Sequence, residues 1–497
     1  MTPGRRREKA RPWRRSGLAA LAAMAAPAAI LALLLSAAGC RRAPRDNVIL
    51  IVVDTVRADH LSLAGYGRPT TPRLAEYAQR GTYFERFHSH SSWTRTSVAT
   101  LLTSLMPRAH GLISSADVLP RALTTLPEVL QEAGYQTFAF VANPQVHPQF
   151  GFEQGFDRFH ELFRPETDEN GIATEDPLAS ATDDRVLAKA LSVLLEERAS
   201  PYFAYIHLLD PHGPYTPDPA DAALFVDPAY NGILRGSLRD FRRIPRLRKN
   251  PRELAQFIAL YDAEIRGTDR DLGEFLDRLD RAGGLQGTHV IVTADHGEEF
   301  LEHGGTGHGR RLYQEQVHIP LLWLGPGVPP GLKVQDLGGL IDIAPTLLDV
   351  LGLASRGMSL QGESLRPLWG KKAPQARRAV LLEEFSGGTE KVAGRELPFV
   401  WRGMIADNQK VVAGPLRLDR ARVENLVVYD LARDPGEQRP RRLGRDSSTW
   451  SAADAALLAR YVRLDRAVTR LATGTADTAA VLPDEDLQRL RSLGYLD

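Results

Sequence analysis

The sequence predicts an α/β domain over roughly residues 46–355, a smaller α+β subdomain over 356–445 and a helical tail over 446–497. Three observations predict it. Continuous apolar, β-branched runs closed by acidic residues alternate with amphipathic helical stretches, the pattern of a sheet covered by helices on both faces. Beyond Gly352 the apolar pieces become shorter and strand-like before helical periodicity returns. Finally, 497 residues, 43% hydrophobic and 25% charged, suffice for one large domain plus a smaller one and give no reason to expect disorder. A net charge of +1 argues against attraction of the whole protein to nucleic acid, so no nucleic-acid partner is expected.

The amino terminus reads as a targeting segment outside the fold. Arg5, Arg6, Arg7, Lys9, Arg11, Arg14 and Arg15 precede an uncharged apolar stretch, Leu18 to Leu35, that ends in Ser36-Ala37-Ala38-Gly39-Cys40. Residues 1–40 resemble a bacterial lipoprotein signal peptide, with cleavage before Cys40 and acylation of its thiol. The expected location is therefore extracytoplasmic, on a membrane of the cell envelope. An uncleaved helical anchor is the rival reading, because the apolar stretch is long enough to span a bilayer. Arg14-Arg15 adds a weaker likeness to a twin-arginine export signal. Cys40 is the only cysteine, so once lipidated it leaves the mature domain without disulfides, dependent on core burial and bound metal.

Asn47 to Val53, closed by Asp54, fits a central strand buried on both faces. Helical periodicity follows at Thr71–Arg80, Ser97–Leu105, Leu126–Ala133 and Asp183–Glu197. Tyr202 to Leu209 is a second strand, ending in Asp210. After a long helical stretch, Glu253 to Ala282, a third strand runs from His289 to Ala294 and ends in Asp295-His296. Ligands of open α/β sheets collect at the carboxyl ends of strands, so these three ends are expected to converge on one crevice. Ala379–Leu382 and Leu426–Tyr429 are the clearest strands of the smaller subdomain, with helices near Ala452–Leu471 and Pro483–Leu493. Arg439-Pro440-Arg441-Arg442 reads as an exposed loop. The basic run between Arg235 and Arg252 (Arg239, Arg242, Arg243, Arg246, Arg248, Lys249) reads chiefly as a solvated surface insertion, with attraction of an anionic substrate as the alternative.

Asp54, Asp295 and His296 offer carboxylate and imidazole ligands to a hard divalent cation from two strand ends. The bland reading of one such aspartate is a helix cap. Thr94, in Ser91-Ser92-Trp93-Thr94-Arg95-Thr96-Ser97, lies just before a helical stretch whose positive end favours a bound oxyanion. An aliphatic hydroxyl is barely ionised at neutral pH, so Thr94 needs a metal to act as a nucleophile. Otherwise Thr94 or Thr96 simply caps the helix. His212, in Asp210-Pro211-His212-Gly213-Pro214-Tyr215, and His308, in Gly307-His308-Gly309, sit in glycine- and proline-rich loops where burial as core is not expected. A histidine there protonates a leaving oxygen or binds metal, or is merely surface.

Taken in order, these motifs resemble the sulfatase family of the alkaline phosphatase superfamily. The likeness runs from Asn47 to about Glu437. It is carried by Asn47–Asp54 with Arg57-Ala58-Asp59-His60-Leu61, Pro69–Leu74, Asp210–Tyr215, Thr293–Glu298, Ile341–Leu348, Tyr429-Asp430-Leu431 and Asp434-Pro435-Gly436-Glu437. It implies an alkaline-phosphatase-like fold, a large mixed β-sheet flanked by helices with a smaller carboxyl-terminal α+β subdomain. It also implies one divalent cation on Asp54, Asp295, His296 and the nucleophile Thr94, with His212 and His308 at the transferring group. The substrate it implies is an anionic ester, a sulfated or phosphorylated glycan, lipid or small molecule.

The chain departs from the family pattern in ways that bear on chemistry. Sulfatases of this kind usually hold calcium, but Thr55 stands where many have a second aspartate, so manganese, magnesium and zinc stay open. Counting back from Leu101 and Thr103-Ser104 puts Thr94 in the slot of the cysteine or serine that becomes formylglycine, with Thr96 for the usual proline and Val98 for the usual arginine. Starting at Ser91 instead places Arg95 four residues on, but it puts Trp93 at the proline and spoils the helix, so Thr94 is favoured. Threonine cannot give the aldehyde. It is expected to attack directly, as similar phosphodiesterases and phosphoethanolamine transferases do, with Arg95 binding anionic oxygens or else lying on the surface. A transferase acting on envelope lipid or glycan, and a catalytically silent binding module, are the competing functions. Asp210 with His212 and His308 is the candidate second cation site.

Overall fold

The computed structural model describes Met1 and residues 45–163, 182–196, 198, 200–247, 250–370, 378–385, 389–392, 395–417, 426–443 and 450–471. Cys40 with its targeting segment, Arg248, Lys249 and the helix expected at Pro483–Leu493 lie outside the described residues. Among the described residues no helix is long and apolar enough to cross a membrane. Asp46–Asp497 forms one compact unit, separate from Met1–Arg45.

Its strands begin with β1 (Asn47–Val53), β2 (Gly81–His88), β3 (Gln136–Val141), β4 (Arg158–Glu161), β5 (Tyr202–Leu208) and β6 (Thr288–Ala294). A small hairpin, β7 (Glu299–Phe300) and β8 (Thr306–Gly307), precedes β9 (His318–Leu324), β10 (Leu332–Val334) and β11 (Gly338–Gly339). Nine of these make one mixed sheet in the order β10-β2-β9-β6-β1-β5-β3-β4, with β11 also pairing β2. β1 pairs in parallel with β5 and β6, whereas β9 runs antiparallel to both β6 and β2. Val48 to Val52 are wholly buried, which is why β1 reads as unbroken apolar sequence: helices cover both of its faces.

Local signals set the flanking helices. Pro72–Ala78 opens on proline, and Leu126–Glu132 carries a capping box in which Thr125 N donates to Glu128 Oε2 at 2.7 Å. Pro251–Arg281 is capped by Asn250, and its Asp269 accepts from Arg73 N and Leu74 N at 2.8 Å each. A long helix thus caps the orphan amides of a short one.

The second sheet is antiparallel: β12 (Ala379–Glu384), β13 (Thr389–Val392), β14 (Arg395–Ala406), β15 (Gln409–Arg417), β16 (Leu426–Asp430) and β17 (Arg441–Arg442). Arg441 and Arg442, expected in a loop, pair with Val428 and Val427 while their side chains remain exposed. Helix Ala452–Leu471 buries Leu458 and Tyr461 against Met404, Val411 and Val428 of this sheet. Lys410 ties it to the larger sheet's half of the molecule: its ammonium pairs with Glu437 at 2.7 Å and donates to Leu312 O.

A cluster of carboxyls behind β5 predicts how stability depends on pH. Asp183 accepts from Leu209 N at 3.1 Å and Thr268 Oγ1 at 2.8 Å. Burial, then the Asp210 carboxylate, raises its pKa well above the usual range. Burial and Asp271 push Asp210 up to about 7, and burial and Asp210 raise Glu264. The folded state therefore holds protons that the unfolded chain has already released, so this contribution is present at acid pH and lost as pH rises through about 7. The melting temperature is expected to fall between about pH 5.5 and pH 8, and to fall less steeply in Asp183→Asn. Parallel pH profiles of the two proteins would contradict this assignment.

Candidate active site

β1 and β6 are neighbours and run in parallel, so Asp54 and Asp295-His296 emerge side by side at their carboxyl ends. Among the described residues, Asp54, Asp295 and His296 are the only three histidine, cysteine or acidic side chains whose ligand atoms converge, all within 4.8 Å of one another. All three are buried. Thr55, which follows Asp54, has a left-handed backbone (φ 57°) rarely adopted by a β-branched residue. The turn is held by Thr55 N donating to Asp295 Oδ1 at 3.3 Å and by Tyr261 OH donating to Thr55 O at 2.8 Å. On the other strand, a side chain at Gly297 would run into Glu315 O, so only glycine allows the turn after His296.

Thr94 enters this pocket as the first residue of helix Thr94–Thr103, and its Oγ1 lies 3.0 Å from His296 Nε2. That nitrogen is in turn 3.8 Å from Asp54 Oδ1 and 3.4 Å from Asp295 Oδ2. His296 Nδ1 lies 3.0 Å from Gly297 O, which can only accept, so Nδ1 carries the proton and Nε2 presents its lone pair to the Thr94 hydroxyl. The capping reading fails for both threonines. Trp93 is the N-cap residue and makes no side-chain cap, and Thr96 Oγ1 donates to Leu112 O at 3.0 Å. The loop before Thr94 is fixed from the second sheet, where Glu384 Oε2 accepts from Ser91 Oγ (2.9 Å), Ser92 N and Ser92 Oγ (both 2.8 Å).

His308 and His212 complete the pocket, with ring centroids 4.4 Å from His296 to His308 and 5.1 Å from His308 to His212. His212 is buried despite its loop, contrary to expectation. Burial pushes it down to about 4, aided by repulsion from His308. For His308, burial works against the charge, but the Glu298 carboxylate 3.3 Å from Nδ1, with Asp54 and Asp295, outweighs it and raises the pKa. The two carboxylates divide likewise. Burial opposes ionisation of both, yet His207, His212 and His296 hold Asp54 below the usual range, whereas burial and the charge of Asp54 push Asp295 up.

Arg95 is buried rather than exposed. Its terminal nitrogens donate to Ser115 O and Gln145 Oε1, both at 2.6 Å, and its guanidinium stacks 3.3 Å from the Phe150 ring centre. Through Gln145, whose backbone N–H donates to Asn143 Oδ1 at 2.7 Å, it reaches Asn143, and Asn143 Nδ2 donates to Asp54 Oδ2. The ligand atoms of Asp210, His212 and His308, expected as a second cation site, do not converge as those of Asp54, Asp295 and His296 do.

Sequence reasoning passed over two residues that touch Asp54: Asn143 and His207. His207 Nε2 lies 3.9 Å from Asp54 Oδ2, and Tyr205 OH sits 2.8 Å from His207 Nδ1. Burial keeps the Tyr205 phenol protonated, so it donates and leaves the Nε2 proton facing Asp54. A lone histidine in an apolar strand was the available signal. Tyr205→Phe is expected to weaken metal affinity by roughly 10–100-fold while turnover at saturating metal changes little. Unchanged affinity in a metal titration would refute this support role.

The large mixed sheet with its smaller antiparallel sheet is a sulfatase-type, alkaline-phosphatase-like fold. The phosphonate monoester hydrolase of Agrobacterium radiobacter superposes with a TM-score of 0.66 at 21% identity, covering 85% of this chain and 96% of that one. Residues 46–353 match the sulfatase family, and the chain belongs to it, a hydrolase acting on sulfuric or phosphoric ester bonds. Human arylsulfatase K is 26% identical over 375 residues, 68% of this chain and 69% of that protein. The N-acetylglucosamine-6-O-sulfatase of Bacteroides thetaiotaomicron is 22% identical over 485 residues, 81% of this chain and 84% of that protein.

Proposed function

We propose that this protein hydrolyses sulfate or phosphate esters with Thr94 itself as nucleophile, not formylglycine. The observation that carries this reading is the Thr94 hydroxyl 3.0 Å from His296 Nε2, among the converging carboxylates of Asp54 and Asp295. The donor set fits a divalent cation: two buried carboxylates and an imidazole lone pair meet, and Asp295 Oδ2 has no hydrogen-bond partner among the described residues. Asp54, Asp295 and His296 would hold it, with calcium favoured by family resemblance and manganese, magnesium and zinc as competitors. Bound there, the cation supplies positive charge beside Thr94 and favours its ionised oxygen.

The chain's own residues account for the rest. The Thr94 hydroxyl gives its proton to solvent, and its oxygen forms a bond to sulfur or phosphorus as the ester bond to the leaving oxygen breaks. His308, whose pKa the Glu298 carboxylate raises, gives that oxygen its proton. Water then attacks the Thr94-bound group, releasing sulfate or phosphate. His308 takes the water's proton, and Thr94 regains its hydroxyl hydrogen from solvent. His212 stays neutral and serves as a hydrogen-bonding group. Matched assays of metal-stripped and reloaded protein on an aryl sulfate, an aryl phosphate and a phosphodiester test the reading. Metal-restored hydrolysis of at least one is expected, and metal-independent hydrolysis of all would contradict it.

We place the enzyme outside the cytoplasm, held on the envelope membrane by lipid on Cys40. The basic and apolar run before Cys40 supports this. Mass spectrometry should find an acylated Cys40 at the mature amino terminus. A retained Met1 or a free Cys40 thiol would reject it.

A further inference from the structure

The basic insertion does not merely face water. Helix Leu238–Leu247 is clamped onto the two loops that carry the active-site histidines. A side chain at Gly213, next to His212, would collide with the Phe241 ring, and Phe241 O accepts from Thr306 Oγ1 at 3.3 Å, two residues before His308. Phe241 also packs on Tyr215 and Phe257, at ring-centroid distances of 5.2 and 4.7 Å, and Ile244 is buried on the same side. With that face turned inward, Arg239, Arg242 and Arg246, spaced three and four apart, form one exposed stripe. Among the described residues none of the three has an ion-pair partner, while Arg243 pairs with Asp240 at 3.4 Å. Like charges at this spacing disfavour a helix slightly, a cost that a bound polyanion would relieve.

We infer that this stripe is an extended subsite for an anionic glycan chain, holding sulfate or phosphate groups beyond the one being cleaved. It rests on the reading of the pocket as an ester hydrolase site. The stripe spans about 10 Å of helix axis, room for more than one anionic group, and guanidinium forks match sulfate and phosphate oxygens. An anionic membrane is disfavoured as the occupant, because the helix's apolar face is already buried in the protein and has nothing to insert.

The test uses dextran sulfate as probe, against the full protein. Dextran sulfate is expected to compete with a small aryl ester, more strongly as its chain lengthens. The triple variant Arg239→Gln, Arg242→Gln, Arg246→Gln should weaken that competition by roughly tenfold or more and flatten its salt dependence. A charge-matched control, Arg121→Gln, Arg356→Gln, Arg433→Gln, should not. Calorimetric binding of dextran sulfate to Thr94→Ala reads the same subsite even if no ester is turned over, which separates failure of this inference from failure of the catalytic reading. Equal weakening in the control, competition independent of chain length, or tighter binding to phosphatidylserine vesicles than to dextran sulfate would overturn it.

Discussion

Thr94→Ala is expected to lower turnover by on the order of 10³–10⁵-fold on every ester the protein cleaves. The oxygen removed is the atom that attacks, and no other hydroxyl is placed to replace it: Ser91 and Ser92 donate to Glu384, and Thr96 to Leu112. The fold should survive, since the threonine is not a cap and loses only its bond to His296. Thr94→Ser keeps the oxygen and should retain most of the activity. Thr94→Cys, expressed with a formylglycine-generating enzyme, should not gain the aldehyde, because Thr96 and Val98 replace the proline and arginine of the usual motif. Steady-state rates with substrate affinity measured separately check this. A full-speed Thr94→Ala would remove the nucleophile from the account.

The second large effect is expected at Asp295. Two carboxylates buried within 4.8 Å repel one another without a cation, and burial with the charge of Asp54 raises the pKa of Asp295. In metal-free protein Asp295→Asn removes that repulsion, so its melting temperature should rise by about 1 °C per kcal/mol relieved. The sign follows from the raised pKa: wild-type protein loses stability as pH rises and Asp295 ionises, so the variant's advantage is greatest at alkaline pH and vanishes at acid pH. With metal present the order reverses. Wild type gains stability with metal concentration, whereas Asp295→Asn loses at least about 10²-fold in metal affinity together with its activity. Scanning calorimetry with and without added cation measures both halves. A variant less stable than wild type in the metal-free state would show that Asp295 is a structural hydrogen-bonding group.

What could be read from the sequence follows from burial. β1, β5 and β6 are covered on both faces, so most of their residues are apolar and their acidic ends stand out. β2 and β9 gave no such signal. β2 carries Glu85-Arg86 where its register with β9 shifts, and β9 opens on His318 and contains Pro320, yet both lie inside the sheet. The ligand triad was legible because strand ends in parallel neighbours must lie together. The residues that support it were not. Arg95 reads as a group for anionic oxygens or a surface cation until Gln145, fifty positions away, and Phe150 close around it. Asn143 and His207 owe their roles to β3, β5 and β1 lying side by side, which no local pattern announces.

The most direct measurement is rapid acid quench of enzyme turning over its best aryl ester, followed by peptide mass spectrometry. The peptide containing Thr94 is expected to carry a sulfate- or phosphate-sized mass increase, localised to that residue, with unmodified threonine in resting enzyme. An adduct on Ser91, or a formylglycine anywhere in that peptide, would contradict it.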